Sequence, residues 1–424
     1  MTRCRLTGSM NLEIPEKVVE ICRRLQGSGE TAWVVGGAVR DLLRGRSPGE
    51  FDLATTAPPQ KVSALFRRVI PTGIAHGTVT VVADGDTFEV TTLRCDRGYS
   101  DGRHPDAVTF IDDIDADLAR RDFTVNAIAF NPLTGILHDP FNGRADIQEC
   151  LLRAVGEPSA RFSEDALRIL RAARFAATLG YRLDRDTQNA ILPAAVGLAG
   201  VSVERKREEL KKLLGAVAPS GGLAVLGHPE ILVHLCPGLA ELLRSVDGGA
   251  CWARTLRRVD RTPPFLSLRL AALLLDARDA ATWLEQFWTE RQTVRDTRHL
   301  LSFLPLDYRP EWTDGDVRRH AARVGKQSLR DLLQVAGADV MDGEPDRPGE
   351  LEERHRVLRI ADAALHMREL AVDGAMLMNA LQLKPGPSLG RLLERLLAVV
   401  IENPAENTPD RLIARAAGWR DEDG

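Results

Sequence analysis

Short apolar runs separated by glycine, proline and aspartate dominate the first third of the chain. Runs rich in valine and threonine with a period of two are AWVV, FDLAT, GTVTVVA and TFEVTTL, beginning at residues 32, 51, 77 and 87. This spacing is typical of β-strands joined by turns. Beyond about residue 160, leucine and alanine recur every three or four residues, which predicts helices. The pattern predicts an α+β protein with a mixed sheet and helices first, followed by an all-α remainder.

Turn-forming stretches such as GAVAPSGG and DGEPDRPGE interrupt the helical pattern and suggest domain borders near residues 155, 218 and 340. The predicted domains are a mixed α/β head at 1–155, a helical neck at 156–218, a helical body at 219–340 and a helical tail at 341–424.

Composition narrows the class of protein. With 424 residues, 44% of them hydrophobic and 27% charged, the chain is long enough for several packed domains. The net charge of -4 argues against a uniformly basic nucleic-acid binder, so any nucleic-acid site must be local. The six cysteines form no CxxC pair, which argues against a disulfide framework or zinc cluster. The sequence shows neither a signal peptide nor a membrane span, and we expect a soluble cytoplasmic protein.

The first candidate motif is VVGGAVRD, at residues 34–41. A strand that enters Gly36 and Gly37 and leaves through a helix presents backbone N–H groups where phosphate is favoured. Arg40 would add a charged donor. The alternative is an ordinary strand-to-helix turn whose glycines serve only steric needs.

Two carboxylates follow about ten residues downstream. Glu50 and Asp52 are expected at positions i and i+2 of a strand, so both side chains would project from one face. Such a pair can hold two divalent cations, and Glu89 on a neighbouring strand is a possible third ligand. The alternative is a half-exposed strand whose outward positions happen to be acidic.

Taken together, GGAVRDLLRGRSPGEFDLATTAPP resembles the signature of the DNA polymerase β nucleotidyltransferase superfamily, in the branch of bacterial tRNA nucleotidyltransferases and poly(A) polymerases. Further motifs are similar to that branch in the same order along the chain: IPTGIAHGTVTVV and FEVTTLR, RRDFTVNAIAF, DPFNGRADI, RFSEDALRILRAARFAA and ERKREELKKLL. The match spans roughly residues 33 to 214. The remainder is similar only in being helical.

The resemblance implies template-independent addition of C, C and A to the 3′ end of tRNA from CTP and ATP. It implies two Mg²⁺ ions, with Mn²⁺ as an alternative, held by Glu50 and Asp52. Bacterial members of the branch usually have aspartate at the first position, whereas archaeal tRNA nucleotidyltransferases use Glu-x-Asp. We therefore expect Glu50 to bind metal and Asp52 to be the more indispensable ligand.

A polar stripe follows in the segment 161–177. Ser163 is a plausible N-cap of its helix, with Asp165 in the first turn. A solvated face is the alternative interpretation of a stripe of this kind. The resemblance instead implies that the Asp and the first Arg meet the incoming base while the later arginines reach phosphate. The stripe consists of residues at spacings of three, namely Asp165, Arg168, Arg171 and Arg174.

Hydrogen-bond inventory explains how such a pair could choose C and A. The carboxylate of Asp165 only accepts, and the guanidinium of Arg168 only donates. Cytosine and adenine each offer an amine that can donate to Asp165 and a ring nitrogen that can accept from Arg168. Uracil and guanine present a carbonyl and an N–H in those places, which leaves polar groups unpaired at roughly 1 to 3 kcal/mol each.

Two further stretches complete the predicted site. In RRDFTVNA, the resemblance implies that Arg121 contacts nucleotide phosphate and Asp122 the ribose 2′-hydroxyl, with Asn126 one helical turn on; a surface ion pair is the alternative. The segment between residues 94 and 120 is polar and punctuated by glycine, which predicts a mobile loop. The family's loop is associated with switching from C to A addition, and this sequence keeps Arg103 and His104.

Several activities stay open at this point. Within the family, A addition alone and poly(A) synthesis are alternatives to complete CCA addition, although the basic signature of poly(A) polymerases is missing. A different class would be a non-catalytic RNA-binding relative. The helical C-terminal half would hold the tRNA acceptor arm by phosphate and shape contacts. Neither DNA nor a membrane is an expected partner.

Overall fold

The computed structural model describes residues 12–97 and 107–422. The chain divides into two compact units, Met1–Arg244 and Ser245–Gly424. The borders predicted near residues 155, 218 and 340 divide the chain more finely and stay predictions.

Strands are concentrated in the first unit, as the period-two pattern predicted. The described strands are β1 (Ala32–Val35), β2 (Asp52–Thr55), β3 (Val69–Gly73), β4 (Thr78–Ala83), β5 (Asp86–Thr92), β6 (Arg94–Arg97), β7 (Ala107–Phe110), β8 (Ala129–Asn131), β9 (Ile136–His138), β10 (Leu151–Leu152) and β11 (Arg182–Leu183). Seven of them form one sheet in the order β3-β4-β5-β2-β1-β8-β9, while β6 pairs with β7 and β10 with β11.

Strand β2 lies inside the sheet, antiparallel to β1 and parallel to β5. Side chains alternate between buried and exposed along β5, where Phe88 and Val90 are buried and Glu89 between them is exposed. One face of the sheet carries a core cluster that includes Val35 and Ala54. Asp52 precedes Ala54 by two residues, so its side chain projects from the same face of the sheet as Ala54.

Twelve helices are described in the first unit. They are α1 (Glu16–Gly27), α2 (Gly37–Leu43), α3 (Pro59–Leu65), α4 (Ile114–Ala119), α5 (Gly143–Gln148), α6 (Pro158–Glu164), α7 (Leu167–Leu179), α8 (Arg185–Ala194), α9 (Val203–Leu214), α10 (Ser220–Leu226), α11 (Pro229–Leu232) and α12 (Pro237–Arg244). Helix α7 is buried on most of its surface and ends at Gly180, whose φ of 71° suits a glycine C-cap. A Cβ at Gly222 of α10 would lie 2.2 Å from the carbonyl oxygen of Ala173, so only glycine allows this approach to α7.

The second unit is helical throughout its described part. Its helices are α13 (Gly248–Arg261), α14 (Leu266–Leu274), α15 (Ala280–Phe287), α16 (Arg291–Leu301), α17 (Asp314–Val324), α18 (Lys326–Asp339), α19 (Arg347–Val357), α20 (Gly374–Leu381), α21 (Pro387–Glu402) and α22 (Pro409–Glu422). Helices α20, α21 and α22 share a core that includes Leu377, Leu396 and Leu412. Across both units, none of the described helices has the length and apolar character needed to cross a membrane.

Candidate active site

The predicted carboxylates lie where β1 turns away from β2. Asp52 is the first residue of β2, where it is in register with Val35 on one side and Glu89 on the other. β1 ends at Val35, so it has no residue left to pair with Glu50, which lies in an irregular segment before β2. The prediction that Glu50 and Asp52 share one strand is therefore wrong. The same-face argument applies instead to Asp52 and Glu89, on adjacent strands.

Negative charge accumulates at this edge of the sheet. Glu50, Asp52 and Glu89 are all exposed. Partial removal from water and the charges of Glu89 and Glu50 raise the pKa of Asp52, against the opposing charge of Arg121. A carboxylate with a raised pKa next to other acids is stabilised by a cation. The edge is therefore suited to a positively charged ligand.

The donor set suits magnesium, which is held by one or two carboxylates while water and substrate phosphates complete its coordination. In the ranges 12–97 and 107–422, no three His, Cys, Asp or Glu side chains converge closely enough to hold a metal ion by themselves. Glu50, Asp52 and Glu89 therefore do not form a three-ligand metal site by themselves. A substrate would have to supply the remaining oxygens.

Arg121 and the glycine turn form the neighbouring wall of this edge. Gly36 has a φ of 72°, and a Cβ there would lie 3.0 Å from Nη1 of Arg121 and 4.0 Å from Oδ2 of Asp52. The Arg121 guanidinium has only long contacts, 3.5 Å to the Asn126 carbonyl oxygen and 3.4 Å to Oδ2 of Asp117, and its Nε has no partner. Burial lowers its pKa. An arginine with unused buried donors beside an open turn is suited to binding an anion.

Asp117 is a residue that sequence reasoning missed. Its carboxylate is buried and accepts hydrogen bonds from Arg120, at 2.7 and 2.9 Å, and from the Arg94 N–H, at 3.3 Å, in addition to the long contact with Arg121. It thereby links the start of β6 to the RRD stretch. Aspartate inside the short apolar helix α4 was the available signal, because a buried carboxylate needs partners.

Gly37 and Arg40 differ from the phosphate-binding arrangement that the sequence suggested. Gly37 begins α2, and a Cβ at this position would lie 3.5 Å from Nη2 of Arg40. Arg40 is buried, and it donates from Nε and Nη2 to Asp41 at 2.9 and 3.0 Å and from Nη1 to Oδ1 of Asn126 at 2.7 Å. In this structure Arg40 therefore positions Asn126 rather than presenting a free donor.

Asp122 is the centre of the next layer of contacts. One carboxylate oxygen accepts from the Phe123 N–H at 2.8 Å and from Nδ2 of Asn126 at 3.1 Å. The other accepts from Nε of Arg171 at 2.7 Å and lies 2.6 Å from Nη2 of the same guanidinium. Burial alone would raise the pKa of Asp122, but the Arg171 charge and these hydrogen bonds outweigh it and lower the pKa to about 2. Asp122 anchors Arg171, and both of its carboxylate oxygens already accept protein donors.

The base-selecting segment is not one helix. Helix α6 ends at Glu164, Asp165 is extended with φ of -149° and ψ of 103°, and α7 begins at Leu167. Ser163 is therefore the penultimate residue of α6, and the prediction that it caps a helix containing Asp165 is wrong. The physical reason is a local hydrogen bond of 3.0 Å from the Leu167 N–H to Oδ1 of Asp165, which competes with continued helix.

Asp165 and Arg168 each have a different protein partner. Oδ2 of Asp165 accepts from Nη2 of Arg205 on α9 at 2.6 Å. Arg168 is buried, and its Nη1 donates to Oε2 of Glu164 at 2.7 Å and to the Arg161 carbonyl at 2.8 Å. Its Nη2 donates to the Arg120 carbonyl at 3.0 Å. The break places both side chains next to the RRD stretch and α9.

The rest of the predicted stripe surrounds an aromatic ring. The guanidinium carbons of Arg40, Arg171 and Arg174 lie 5.4, 5.5 and 4.1 Å from the centroid of Phe175. Buried Glu209 on α9 faces two of them, with its carboxylate 3.6 Å from Nη1 of Arg171 and 3.2 Å from Nε of Arg174. The pair formed by Arg174 Nε and Glu209 Oε2 is not aligned as a hydrogen bond.

Arg205 and Glu209 are the other residues that sequence reasoning missed as parts of the site. They stand four residues apart and so share one face of α9, the face that meets the arginine stripe. The signal in the sequence is the segment ERKREEL, in which Glu209 follows Arg205 by four residues. An acid and a base at this spacing can both face the arginine-rich helix α7. Through these contacts α9 supports the arginine stripe of α7.

The segment between residues 94 and 120 is more regular than predicted. Its described parts are the antiparallel ribbon of β6 and β7 and the helix α4, whose N-cap Asp113 accepts from the Asp115 N–H at 2.9 Å. The prediction of one mobile loop is wrong for these parts, because the Val-Thr-Phe run pairs with β6 and an Asp caps α4. Arg103 and His104 lie outside the described residues.

The five cysteines of the described ranges are all free, as the lack of CxxC pairs predicted; they are Cys22, Cys95, Cys150, Cys236 and Cys251. Burial raises the pKa of Cys22 to about 12 and that of Cys236 to about 11, so both are inert thiols.

Known families match along most of the chain. The model of the poly(A) polymerase head domain matches residues 32–153, and that of the RNA and SrmB-binding site of polymerase A matches residues 180–243. The model of tRNA nucleotidyltransferase domain 2 matches residues 266–416. The first match covers the sheet with Asp52 and Glu89, and the second covers α9.

Individual relatives match the chain over nearly its whole length. The CCA-adding enzyme of Geobacillus kaustophilus is 36% identical over 406 residues, which are 94% of this chain and 96% of that protein. The CCA-adding enzyme of Lactobacillus delbrueckii subsp. bulgaricus is 35% identical over 415 residues, or 96% and 98% of the two chains. The crystal structure of the Bacillus stearothermophilus CCA-adding enzyme in complex with CTP has a TM-score of 0.76 at 32% identity, covering 96% of this chain and 98% of that one. The chain therefore belongs to the CCA-adding enzyme family of tRNA nucleotidyltransferases.

Proposed function

We propose that this protein adds C, C and A to the 3′ end of tRNA, without a nucleic-acid template, using CTP and ATP. In each step the terminal 3′-oxygen forms a bond to the α-phosphorus of the nucleotide, the bond from that phosphorus to the bridging oxygen breaks, and pyrophosphate leaves. The hydroxyl proton passes to solvent or a nearby base. The observation that carries the proposal is the acidic edge formed by Asp52 and Glu89, in a chain that matches CCA-adding enzymes along its length.

Divalent cations are the partner that this edge requires. Asp52 and Glu50 would hold two Mg²⁺ ions, or Mn²⁺, with Glu89 next to them. When bound, such ions lower the pKa of the attacking hydroxyl and offset the charge that develops on the leaving phosphate. Glu50 lies outside the strand in an irregular segment, so its longer side chain suits a supporting ligand, whereas Asp52 is fixed by pairing on both sides. Asp52 is the residue whose loss would stop the reaction.

The triphosphate would lie against the glycine turn and Arg121. Gly36 leaves room at this point, and Arg121 has an unpaired Nε and two long contacts that a phosphate oxygen could replace. Asp122 is expected to act mainly through Arg171, since both of its oxygens already accept protein donors. Asn126, which accepts from Arg40 at 2.7 Å and donates to Asp122 at 3.1 Å, would contact the nucleotide from this position.

The base would be read by Asp165 and Arg168, with Arg171 and Arg174 on the phosphate side. A pocket of fixed acceptor and donor serves both cytosine and adenine because both bases offer an amine next to a ring acceptor. Both side chains are held by neighbouring protein groups, which limits their motion before the base arrives. The helical remainder of the chain would hold the tRNA acceptor arm.

The proposal is tested with purified protein, Mg²⁺ and three tRNAs that end before CCA, after the first C or after the second C. Each is incubated with labelled CTP, ATP, UTP or GTP, and the products are resolved at single-nucleotide length. We expect two C additions and then one A, with UTP and GTP rejected. No incorporation into any tRNA would contradict the proposal. Addition of A to the CC-ended tRNA alone would identify an A-adding enzyme, and long A tails a poly(A) polymerase.

A further inference from the structure

Helix α16 carries a row of basic side chains along one face. Arg291, Arg295 and Arg298 follow each other at spacings of four and three residues, so they share that face, and all three are exposed. They line a cavity of about 580 Å³ together with Trp288 and Glu285. The cavity lies within the second unit, and none of its lining residues is part of the candidate active site.

Positive charge in this cavity is only partly balanced. Within the described chain, Glu285 is the one carboxylate that lines the cavity, and it pairs with Arg298. Arg295 donates to the neutral side-chain amide of Gln292. The Arg291 guanidinium forms no hydrogen bond or ion pair with any residue in the ranges 12–97 and 107–422. Two guanidinium charges are therefore not neutralised by the protein, which favours an anion as the ligand.

Trp288 adds an unused neutral donor to the same wall. Its ring packs against Phe287 and Trp283, with centroid distances of 5.7 and 6.4 Å. The side chain is 3% exposed, and its Nε1 is buried without a hydrogen-bond partner. A buried indole N–H usually has a partner, because an unpaired buried donor costs stability. An oxygen of a ligand in the cavity is the partner that this N–H would accommodate.

We propose that this cavity binds a small phosphate-bearing molecule outside the active site. The forked guanidinium groups match the oxygens of a phosphate, and the indole N–H supplies one further hydrogen bond. The cavity volume lies in the range typical of small-molecule sites. Inorganic phosphate, pyrophosphate and the phosphate of a nucleotide share this chemistry. The inference is independent of the proposed function.

A contact with the sugar–phosphate backbone of RNA is the competing explanation, since exposed arginines bind that backbone as well. A duplex phosphate would need only the exposed guanidinium groups. A compact anion that enters the cavity would also use the N–H of the buried Trp288. Trp288→Phe separates the two explanations, because it removes this donor and leaves the exposed charges unchanged.

The experiment measures the binding of labelled inorganic phosphate, pyrophosphate and AMP to the full chain by equilibrium dialysis, without divalent cations. Arg121→Met serves as the background, so that the candidate active site contributes less to the signal. Each variant added to it changes one cavity residue: Arg291→Met, Arg291→Lys, Arg295→Met or Trp288→Phe. Arg244→Met is the matched control, because Arg244 forms an exposed pair with Glu230 at 2.8 Å. Thermal unfolding and the KM for tRNA are measured for the same cavity substitutions in the wild-type background.

We expect each arginine-to-methionine change to raise the Kd of the bound anion about tenfold, the factor given by roughly 1.4 kcal/mol. Trp288→Phe should raise it about fivefold, since a neutral hydrogen bond contributes less. Arg291→Lys should keep part of the affinity, and Arg244→Met all of it. The anion with the lowest Kd identifies the source of the phosphate.

Two results would overturn the inference. One is the absence of saturable binding of all three anions, or binding that the cavity variants leave unchanged. The other is a higher KM for tRNA in Arg291→Met without any binding of the small anions, which would identify an RNA contact instead.

Discussion

Two groups of arginines, one in each unit, differ in how completely their donors are used. In the second unit, Arg258 is 1% exposed and donates to Asp339 at 2.6 Å, to Asp276 at 2.8 Å and to the Ala272 carbonyl at 2.7 Å. Arg254 binds the same Asp339 carboxylate at 2.9 and 3.0 Å. Each guanidinium edge has a short, aligned partner. This network needs no ligand to be complete.

The arginines of the first unit are half-buried, but several of their donor atoms are buried and remain unused. Nε of Arg121, Nε of Arg174 and Nη1 of Arg205 all lack a hydrogen bond. Their carboxylate contacts include distances of 3.2 to 3.5 Å. Unpaired buried donors are costly, and a folded protein keeps them where a ligand completes them. We propose that the first network is a binding site and that the Arg254–Arg258–Asp339 network is a structural tie.

The largest expected effect concerns the acidic edge. Substituting Asp52 by Ala or Asn should reduce nucleotide addition on the order of 10⁴-fold, since metal-assisted charge stabilisation contributes several kcal/mol to the transition state. Stability should be unchanged or slightly increased, because the raised pKa of Asp52 shows that its charged form is disfavoured in the folded protein. Single-turnover incorporation and thermal unfolding measure the two quantities.

Asp362→Asn is the control for Asp52, since Asp362 forms an exposed pair with Arg359 at 2.8 Å. It should leave both activity and stability unchanged. Retention of nucleotide addition by Asp52→Ala would contradict the assignment of the site.

The second prediction concerns the network of Arg254, Arg258 and Asp339, in which every guanidinium edge has a partner. Arg258→Met should lower the free energy of unfolding by about 3 to 5 kcal/mol, because it leaves Asp339 partly unpaired in the interior. Arg121→Met should change stability by less than about 1 kcal/mol, since its contacts are long, yet impair nucleotide addition. Denaturant unfolding of both variants provides the comparison. Equal losses of stability would show that unpaired donors do not distinguish the two networks.

Sequence patterns predicted the sheet because its strands are short β-branched runs bounded by turn-forming residues. The runs at β1, β2, β4 and β5 all became strands, and Asp52 lies in β2. The position of Glu50 was predicted wrongly because the start of β2 depends on where the paired strand β1 ends. β1 ends at Val35 and the chain turns away at Gly36, which the sequence around Glu50 does not indicate.

The break at Asp165 could not be predicted for a related reason. Residues 158–179 have continuous helical periodicity, and the carboxylate that interrupts it is held by Arg205, forty positions further along the chain. Asp117 and Glu209 were missed because their importance lies in partners brought by other elements. Residue type and spacing predict which chemistry a segment carries, whereas tertiary contacts decide which side chains are already committed.

Two histidines in the second unit extend the comparison, because His320 is buried, His355 is half-buried, and both have ring nitrogens without a hydrogen-bond partner. His320 is 3% exposed, and neither of its ring nitrogens has a partner, nor does Nε2 of His355. Burial, together with the charges of His320 and Arg354, lowers the pKa of His355 to about 4. Burial also lowers the pKa of His320, although Asp307 opposes this shift. These imidazoles are stable only while they are neutral.

The third prediction follows from the sign of these shifts. A histidine with a lowered folded-state pKa binds protons more readily when unfolded, so stability is complete above about pH 6.5 and is lost as the pH falls toward 4. The loss should reach roughly 3 kcal/mol for His355 alone. His355→Leu should flatten the dependence of the unfolding free energy on pH in this window, and His234→Gln should not. Identical pH slopes in wild type and His355→Leu would contradict the prediction.

The smallest expected effect separates the two roles of the Asp165 carboxylate, base selection and the hydrogen bond to the Leu167 N–H. Asp165→Ala should relax rejection of UTP and GTP about tenfold, because the polar mismatch that it removes is worth roughly 1 to 3 kcal/mol. It should lower stability by about 1 kcal/mol through the loss of the hydrogen bond from Leu167. Asp184 is the matched control: its carboxylate accepts from the N–H groups of Asp186 and Thr187 at 3.2 and 3.3 Å and pairs with Arg153 at 2.8 Å. Asp184→Ala should therefore lose similar stability while keeping full discrimination. If both variants changed discrimination equally, the effect at Asp165 would come from loosening the helices, and the carboxylate would not be reading the base.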